Sequence, residues 1–281
     1  MITKKKLMAF NYFGGKSLYL DFIISKLYPG KHYVETHCGS AVVFLNKPKL
    51  SNQFETINDI DGDVTNFFEV LRDHTVELVD KLSLTPYSRS EFIKACKPVK
   101  NKIERARRYF VRVKQSYGGL GSQTRINAWR IGLNETRNSI SAEVSKYITS
   151  IQGLKNVALR LMDAQIENRP VLEIIEKYDS SDTIFYVDPP YLYESRTTKG
   201  IGDYKHEYTE NDHIELAELL HKIKGKTAIS GYDCKTMNEL YGDFYKSIGP
   251  PKKTNLAKTI SREILWTNYD SSNIHNYNLF K

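Results

Sequence analysis

Lys31-His32-Tyr33-Val34-Glu35 leads, through a break at Cys38-Gly39-Ser40, into Ala41-Val42-Val43-Phe44-Leu45. The aromatic and β-branched content of the first run predicts a short strand, the glycine ends it, and the apolar run beyond starts a helix. Strand, glycine turn and helix in that order form the opening unit of a doubly wound nucleotide-binding sheet. A second strand, Glu55-Thr56-Ile57-Asn58, ends on Asp59, about twenty residues past the glycine, the spacing at which such folds present an acid to ribose hydroxyls. Gly39 is a single glycine where a dinucleotide fingerprint has three. Taken alone, the turn fits a plain strand-to-helix corner as well as a cofactor loop.

Beyond Val64 the pattern changes. From there to Leu161, apolar residues fall at helical spacing (Phe67, Phe68, Val70, Leu71, then Val76, Leu78, Val79, Leu82) among many basic ones. Strands are expected again at 164–167, 183–187, 227–230, 244–248 and 263–269, with a helix over Asp212–Ile223. The fold class is therefore α/β, a sheet with helices on both faces, and it carries a mainly helical insertion. The expected division is 1–64 with 161–281 as one domain and 65–160 as the insertion.

The strand expected at 183–187 runs into Asp188-Pro189-Pro190-Tyr191, as Ile184-Phe185-Tyr186-Val187-Asp188-Pro189-Pro190-Tyr191. A buried strand delivers a carboxylate to the sheet's carboxyl edge, two prolines fix φ and remove backbone donors, and a tyrosine offers an aromatic face. The set suits an exocyclic amino group on a flat ring: N–H bonds to Asp188 and the Pro189 carbonyl, the ring stacked on Tyr191, the nitrogen lone pair turned to an electrophile. A strand that merely stops at a Pro-Pro turn reads the same.

At 281 residues and 40% hydrophobic, the chain is large enough for a substantial core. No apolar run approaches the roughly 20 residues that span a bilayer, and nothing of signal-peptide type follows Met1, so a soluble protein is expected. Cys38, Cys96 and Cys234 are scattered, without zinc-ligand or disulfide spacing, which suits a reducing cytoplasm and predicts no metal site. A net charge of +8 and a pI near 9.1 point to an anionic partner, nucleic acid first. Phe13-Gly14-Gly15-Lys16-Ser17 fails as a P-loop because the first glycine of that motif would fall at Phe10. A flexible glycine pair with a lysine at a helix start remains, suited to an anionic group.

These pieces together resemble one family, the Dam-type adenine-specific DNA methyltransferases that use S-adenosylmethionine. Asn11-Tyr12-Phe13-Gly14-Gly15-Lys16 is similar to its N-terminal motif, Tyr33 to Ala41 to its first cofactor loop, and Asn58-Asp59-Ile60-Asp61 to its ribose-binding motif. Asp188-Pro189-Pro190-Tyr191 is similar to its catalytic tetrapeptide, and Glu263-Ile264-Leu265-Trp266-Thr267-Asn268-Tyr269 to its last strand. The first loop departs from the family pattern, with Thr36-His37-Cys38 and one glycine where a Pro-Phe pair and more glycines are usual.

The resemblance implies a Rossmann-like methyltransferase sheet with 65–160 as the target-recognition subdomain. It puts Tyr12 and Lys16 at the methionine end of the cofactor, Gly39 in the cofactor loop, Asp59 on the ribose, Ile60 and Ile166 around the adenine ring, and Asp188 at both cofactor and target base. Glu35 is expected to orient backbone or the methionine ammonium. Catalysis is expected at Asp188, Pro189 and Tyr191, without metal or covalent intermediate, on an adenine flipped out of duplex DNA. In the insertion, Arg105, Arg107, Arg108, Arg112, Lys114, Arg125, Arg130 and Arg137 surround Tyr109, Tyr117 and Trp129, with Gly119 inside the loop Gly118 to Gly121. Basic residues interleaved with aromatics suit phosphates, base contacts and the gap left by a flipped base. Ser195 to Tyr208, with Arg196 and Lys205, is expected to close over that base. Duplex DNA is the expected partner of a monomeric cytoplasmic enzyme, bacterial or phage-encoded, with a cognate restriction endonuclease as a further candidate. A methyltransferase acting on RNA or a protein amide, or a non-catalytic DNA-binding protein, stays open.

Overall fold

The computed structural model describes residues 6–117, 128–132, 136–137, 139–196, 205–253, 260–272 and 274. Seven strands form one sheet: β1 (His32–Glu35), β2 (Phe54–Asn58), β3 (Ala164–Glu167), β4 (Thr183–Val187), β5 (Lys226–Gly231), β6 (Tyr245–Ile248) and β7 (Ile264–Thr267). Their order is β3-β2-β1-β4-β5-β7-β6. The first five strands run parallel, and β7 is antiparallel to both β5 and β6. This is the Rossmann-like sheet expected, and all seven strands lie where the sequence predicts them.

Strict side-chain alternation divides the sheet's apolar residues between two cores. Tyr33, Ile57, Ile184, Tyr186 and Leu265 enter one, whereas Val34, Phe185, Val187, Ile264 and Trp266 enter the other. The first core is covered by α1 (Leu20–Lys26), α2 (Val42–Asn46), α3 (Gly62–Asp73), α4 (Thr75–Ser83), α5 (Arg89–Ala95), α6 (Lys102–Gln115) and α7 (Ala142–Leu161). The second lies under α8 (Val171–Tyr178), α9 (Glu210–Lys222) and α10 (Lys235–Leu240). Burial on both faces is why β4 reads as the unbroken apolar run Ile184-Phe185-Tyr186-Val187.

Helix starts follow capping chemistry. The Asp61 side chain accepts from Asp63 N at the start of α3, and Asn101 does the same for Glu104 N at α6. Thr209 and Asp212 form a capping box that starts α9 at Glu210, two residues before the expected Asp212. The expected insertion boundary at 64 and 65 falls inside α3. Val64, Phe67, Phe68 and Leu71 of α3, Tyr109 and Phe110 of α6, and Leu154 and Leu161 of α7 share the core that contains Tyr33 and Ile57.

A buried charge cluster ties α7 to the sheet. Glu55 of β2, 1% exposed, accepts from Lys47 Nζ and, at 2.8 Å, from Arg160 Nη2, which also bonds the Phe44 carbonyl at 3.1 Å. Removing Glu55 strands two cations in a low-dielectric site. Glu55→Ala is expected to cost about 3–5 kcal/mol in urea unfolding, with Glu55→Gln milder.

Candidate active site

Three parallel strands, β2, β1 and β4, end side by side, and strand order reverses at β1. A crevice must open outside their carboxyl ends. Into it come the loop after Glu35, the turn after Asn58 and the tetrapeptide after Val187. Asn58 ties the loop after Glu35 to the segment after β3: its Nδ2 donates to the Thr36 carbonyl at 2.9 Å and its Oδ1 accepts from Arg169 N at 3.0 Å.

The N-terminal segment crosses the crevice. Phe10 anchors it in an aromatic cluster with Phe67, Phe68 and Tyr109. Gly14, at φ +77°, turns the chain so that Gly15 N donates to the Tyr12 carbonyl at 3.0 Å. The Tyr12 ring then lies flush on Gly39, where an added Cβ would sit 2.8 Å from a ring carbon, and Gly39 itself has φ +49°. Contact and conformation both demand glycine there.

Asp59 lies at the crevice end of β2. Its Oδ2 accepts from Gly39 N at 2.8 Å and its Oδ1 from Asp61 N at 2.9 Å. Burial raises its carboxyl to about 6 against the pull of those two donors. Ile60 beside it remains 43% exposed and faces the cleft. Ile166, in contrast, packs against the core and is not among the cleft's lining residues. Glu35 is buried behind the loop, where its Oε2 accepts from the Tyr33 hydroxyl at 2.7 Å and from Phe44 N at 2.8 Å. It orients the α2 backbone, and burial pushes it up to about 8.

Lys16 reaches the tetrapeptide. Its Nζ is 2.8 Å from Asp188 Oδ1, 2.9 Å from the Gly14 carbonyl and 4.5 Å from the centre of the Tyr191 ring. Burial raises the Asp188 carboxyl, and the Lys16 charge opposes that rise. The Tyr191 hydroxyl donates to Glu263, its ring meets Tyr232 edge-on at 4.9 Å, and its carbonyl accepts from Arg196 Nε at 2.7 Å. Pro189 is buried, and the Pro190 carbonyl lies 3.0 Å from His213 Nε2. Glu263, at the start of β7, is a site residue that the sequence reading did not single out. Because β7 runs against β5, its first residue reaches the edge at which the parallel strands end.

The cleft measures about 650 Å³, part of it open to solvent, between Tyr12, Gly39, Asp59, Asp188, His37 and Tyr208. Segment 205–208 covers it. Lys205 Nζ donates to Asp61 Oδ1 at 2.7 Å, and Tyr208 Oη lies 2.9 Å from His37 Nε2. Burial holds His37 down to about 3, so its ring is neutral. Arg196, expected on DNA, is buried and ion-paired with Glu207. Residues 197–204 of the expected closing loop lie outside the described residues. Among the described residues no cluster of His, Cys, Asp or Glu could hold a metal ion, and no helix is long and apolar enough to cross a membrane.

The arginines of α6 are engaged within the protein. Arg112, 7% exposed, lies 3.1 Å from Asp63, and Arg105 lies 2.6 Å from the same carboxylate. Arg107 binds Glu91 and Glu104, and Arg108 binds Glu104, each at 2.7 Å. Lys114, half-buried, bonds Asn11 at 3.4 Å and is held down to about 8 by burial. At the end of α6, Ser116 bridges to Trp129, Arg89 lies 4.6 Å from the Trp129 ring, and Arg130 lies 5.5 Å from the exposed Tyr117 ring and 3.0 Å from Glu143. Gly119 and Arg125 lie outside the described residues.

The profile of the D12 class N6 adenine-specific DNA methyltransferases matches residues 12–256. Type II methyltransferase M1.LlaDCHI of Lactococcus lactis subsp. cremoris is 24% identical over 277 residues, covering 91% of this chain and 93% of its own. Type II methyltransferase M.MjaIII of Methanocaldococcus jannaschii is 24% identical over 251 residues, covering 84% and 82%. The match runs from the Tyr12 that lies on Gly39, through both carboxylates of the crevice, and past β6: the chain belongs to the D12 class of N6 adenine-specific DNA methyltransferases.

Proposed function

We propose that the crevice binds S-adenosylmethionine against Gly39, Asp59 and Ile60, and receives at Asp188 an adenine flipped out of duplex DNA. The observation that carries this reading is the opening of Asp59 and Asp188 into one cleft from the strand ends on either side of β1. The lining suits the cofactor: a carboxylate for vicinal hydroxyls, an exposed isoleucine for a flat ring, and a glycine-backed wall at Tyr12. The cofactor supplies an electrophilic methyl group on a positively charged sulfur.

The protein's residues do the rest. Asp188 and the Pro189 carbonyl accept the two N6 hydrogens, which turns the nitrogen lone pair out of the ring plane toward the cofactor pocket. The Tyr191 ring limits rotation of the base by stacking. Carboxylate negative charge beside N6 stabilises the positive charge that grows there during transfer. The proton then leaves through Asp188 or to water. Holding both reactants at reacting distance supplies much of the acceleration, because alignment replaces a bimolecular encounter.

DNA reading belongs to the segment 65–160, most of all to the surface at Tyr117, Trp129 and Arg130. The type II names of the two relatives support a role beside a restriction endonuclease, and the proposed setting is the cytoplasm of a bacterium or of a phage-infected cell. Modified-base sequencing of DNA from cells that express the protein tests the reading. Wild-type protein is expected to mark adenine N6 at one sequence, and Asp188→Ala to mark none while its circular dichroism is unchanged. Methylation of RNA or protein without DNA marking would replace this reading.

Two further outcomes follow from the geometry. Asp59→Ala is expected to weaken adenosylmethionine binding by about 1–3 kcal/mol in calorimetry, the scale of hydrogen bonds to a charged group. Arg130→Ala and Lys114→Ala are expected to flatten the log–log salt dependence of DNA binding by about one unit per lost phosphate contact. Arg112→Ala, whose charge is bound to Asp63, should instead lower the melting temperature.

A further inference from the structure

Lys16 stands between two carboxylates. Its Nζ is 2.8 Å from Asp188 Oδ1 and 3.8 Å from Glu263 Oε1, and it lies over the Tyr191 ring. In this position it holds both features that the target adenine needs under the reading above, the acceptor oxygen and the aromatic face. An incoming amino group at Asp188 competes with the ammonium for the carboxylate, and a buried ammonium left without a counter-ion is costly. Glu263 is the second acceptor already in place. It is 2% exposed, its carbonyl accepts from Gly249 N at 2.7 Å, and its carboxylate accepts from the Tyr191 hydroxyl. It is thus fixed at both ends and need not move.

We propose that Glu263 is a positioning residue for methylation: it takes over the Lys16 ammonium as the target adenine enters, which releases Asp188 for the N6 amino group while Tyr191 stays held by its hydroxyl. This rests on the assignment of Asp188 to the amino group. The groups that face Glu263 are Lys16 from the N-terminal turn, Asp188 and Tyr191 after β4, Tyr186 of β4 and Ser230 of β5. Burial, with the Asp188 charge adding to it, pushes Glu263 up to about 7, and Lys16 opposes the rise. Tyr186 and Tyr191 are pushed far above neutrality and stay protonated. A protonated Glu263 cannot receive the ammonium, so single-turnover rates should fall as pH drops through about 7 and recover above it.

The test uses the full chain and a duplex that carries its mapped methylation site. Glu263→Gln keeps the size and an acceptor for Tyr191 but lacks the charge. It is expected to lower the single-turnover rate about tenfold or more, keep adenosylmethionine affinity within about twofold, and lose the limb near neutral pH. A rate like wild type, or a slow variant that keeps the limb, would overturn the proposal, the latter because Glu263 would then only brace Tyr191. Should Glu263→Gln not fold, Glu263→Asp is read instead. Its charge must preserve a limb, and a flat profile would overturn the idea. Wild-type protein in the same assay separates this from the underlying reading: if it leaves adenine unmethylated, or if Asp188→Ala is as active, the reading itself has failed.

Discussion

Parallel pairing of β1 with β2 on one side and β4 on the other is the constraint from which the site follows. In register, Glu35 lies level with Ile57 and with Tyr186. The three chains therefore leave the sheet at one height, and Gly39, Asp59 and Asp188 arrive at one crevice without long loops to carry them. A slip of one residue would turn every side chain of a strand to the other face. Here that would exchange Ile184 and Tyr186 with Phe185 and Val187 between two separate cores. Packing on both faces thus fixes the register, and the register fixes the distance between the two carboxylates.

A crevice at which several strands end also concentrates buried charge. Glu35, Asp59 and Glu263 are all pushed upward, each chiefly by burial. Their environments differ in what opposes it. Asp59 is met by two backbone amides, Glu35 by a tyrosine hydroxyl and one amide, and Glu263 by the charge of Lys16. Only the last of these partners can move on a flexible side chain. Amide-held acids suit fixed contacts to a ligand, and a lysine shared by two acids suits a step in which partners exchange.

How legible each part was depends on how local its determinants are. The strands, Gly39, Asp59 and the tetrapeptide lie at turns whose chemistry is written within a few neighbouring residues. Glu263 was hidden because it precedes its strand. It joins the site only because β7 runs antiparallel, a fact of topology and not of local pattern. The arginines of α6 mislead for a related reason. Composition shows five basic residues from Arg105 to Lys114, but Asp63 and Glu91, which bind Arg105, Arg107 and Arg112, lie on other helices, and Glu104 of α6 itself takes Arg107 and Arg108. A net charge of +8 is therefore a poor map of the DNA-binding surface, since much of the density on α6 is neutralised within the fold. Ile166 was placed near the cofactor by the family resemblance, and on β3 it packs against the core.

The first loop, with one glycine where the related pattern has more, also has a physical account. Close approach is needed at a single point, Gly39, where the Tyr12 ring occupies the space of a side chain. The next left-handed position is Ala41, at φ 51°, which an alanine tolerates at modest cost because its side chain is small. His37, standing where a proline and phenylalanine are usual, meets Tyr208 of the covering segment. Burial keeps that imidazole neutral, so the contact is a hydrogen bond between uncharged groups across the mouth of the cleft. The residues that depart from the family's pattern thereby give this chain its own contact at the mouth of the cleft, while the glycine it keeps serves the close approach that the loop requires.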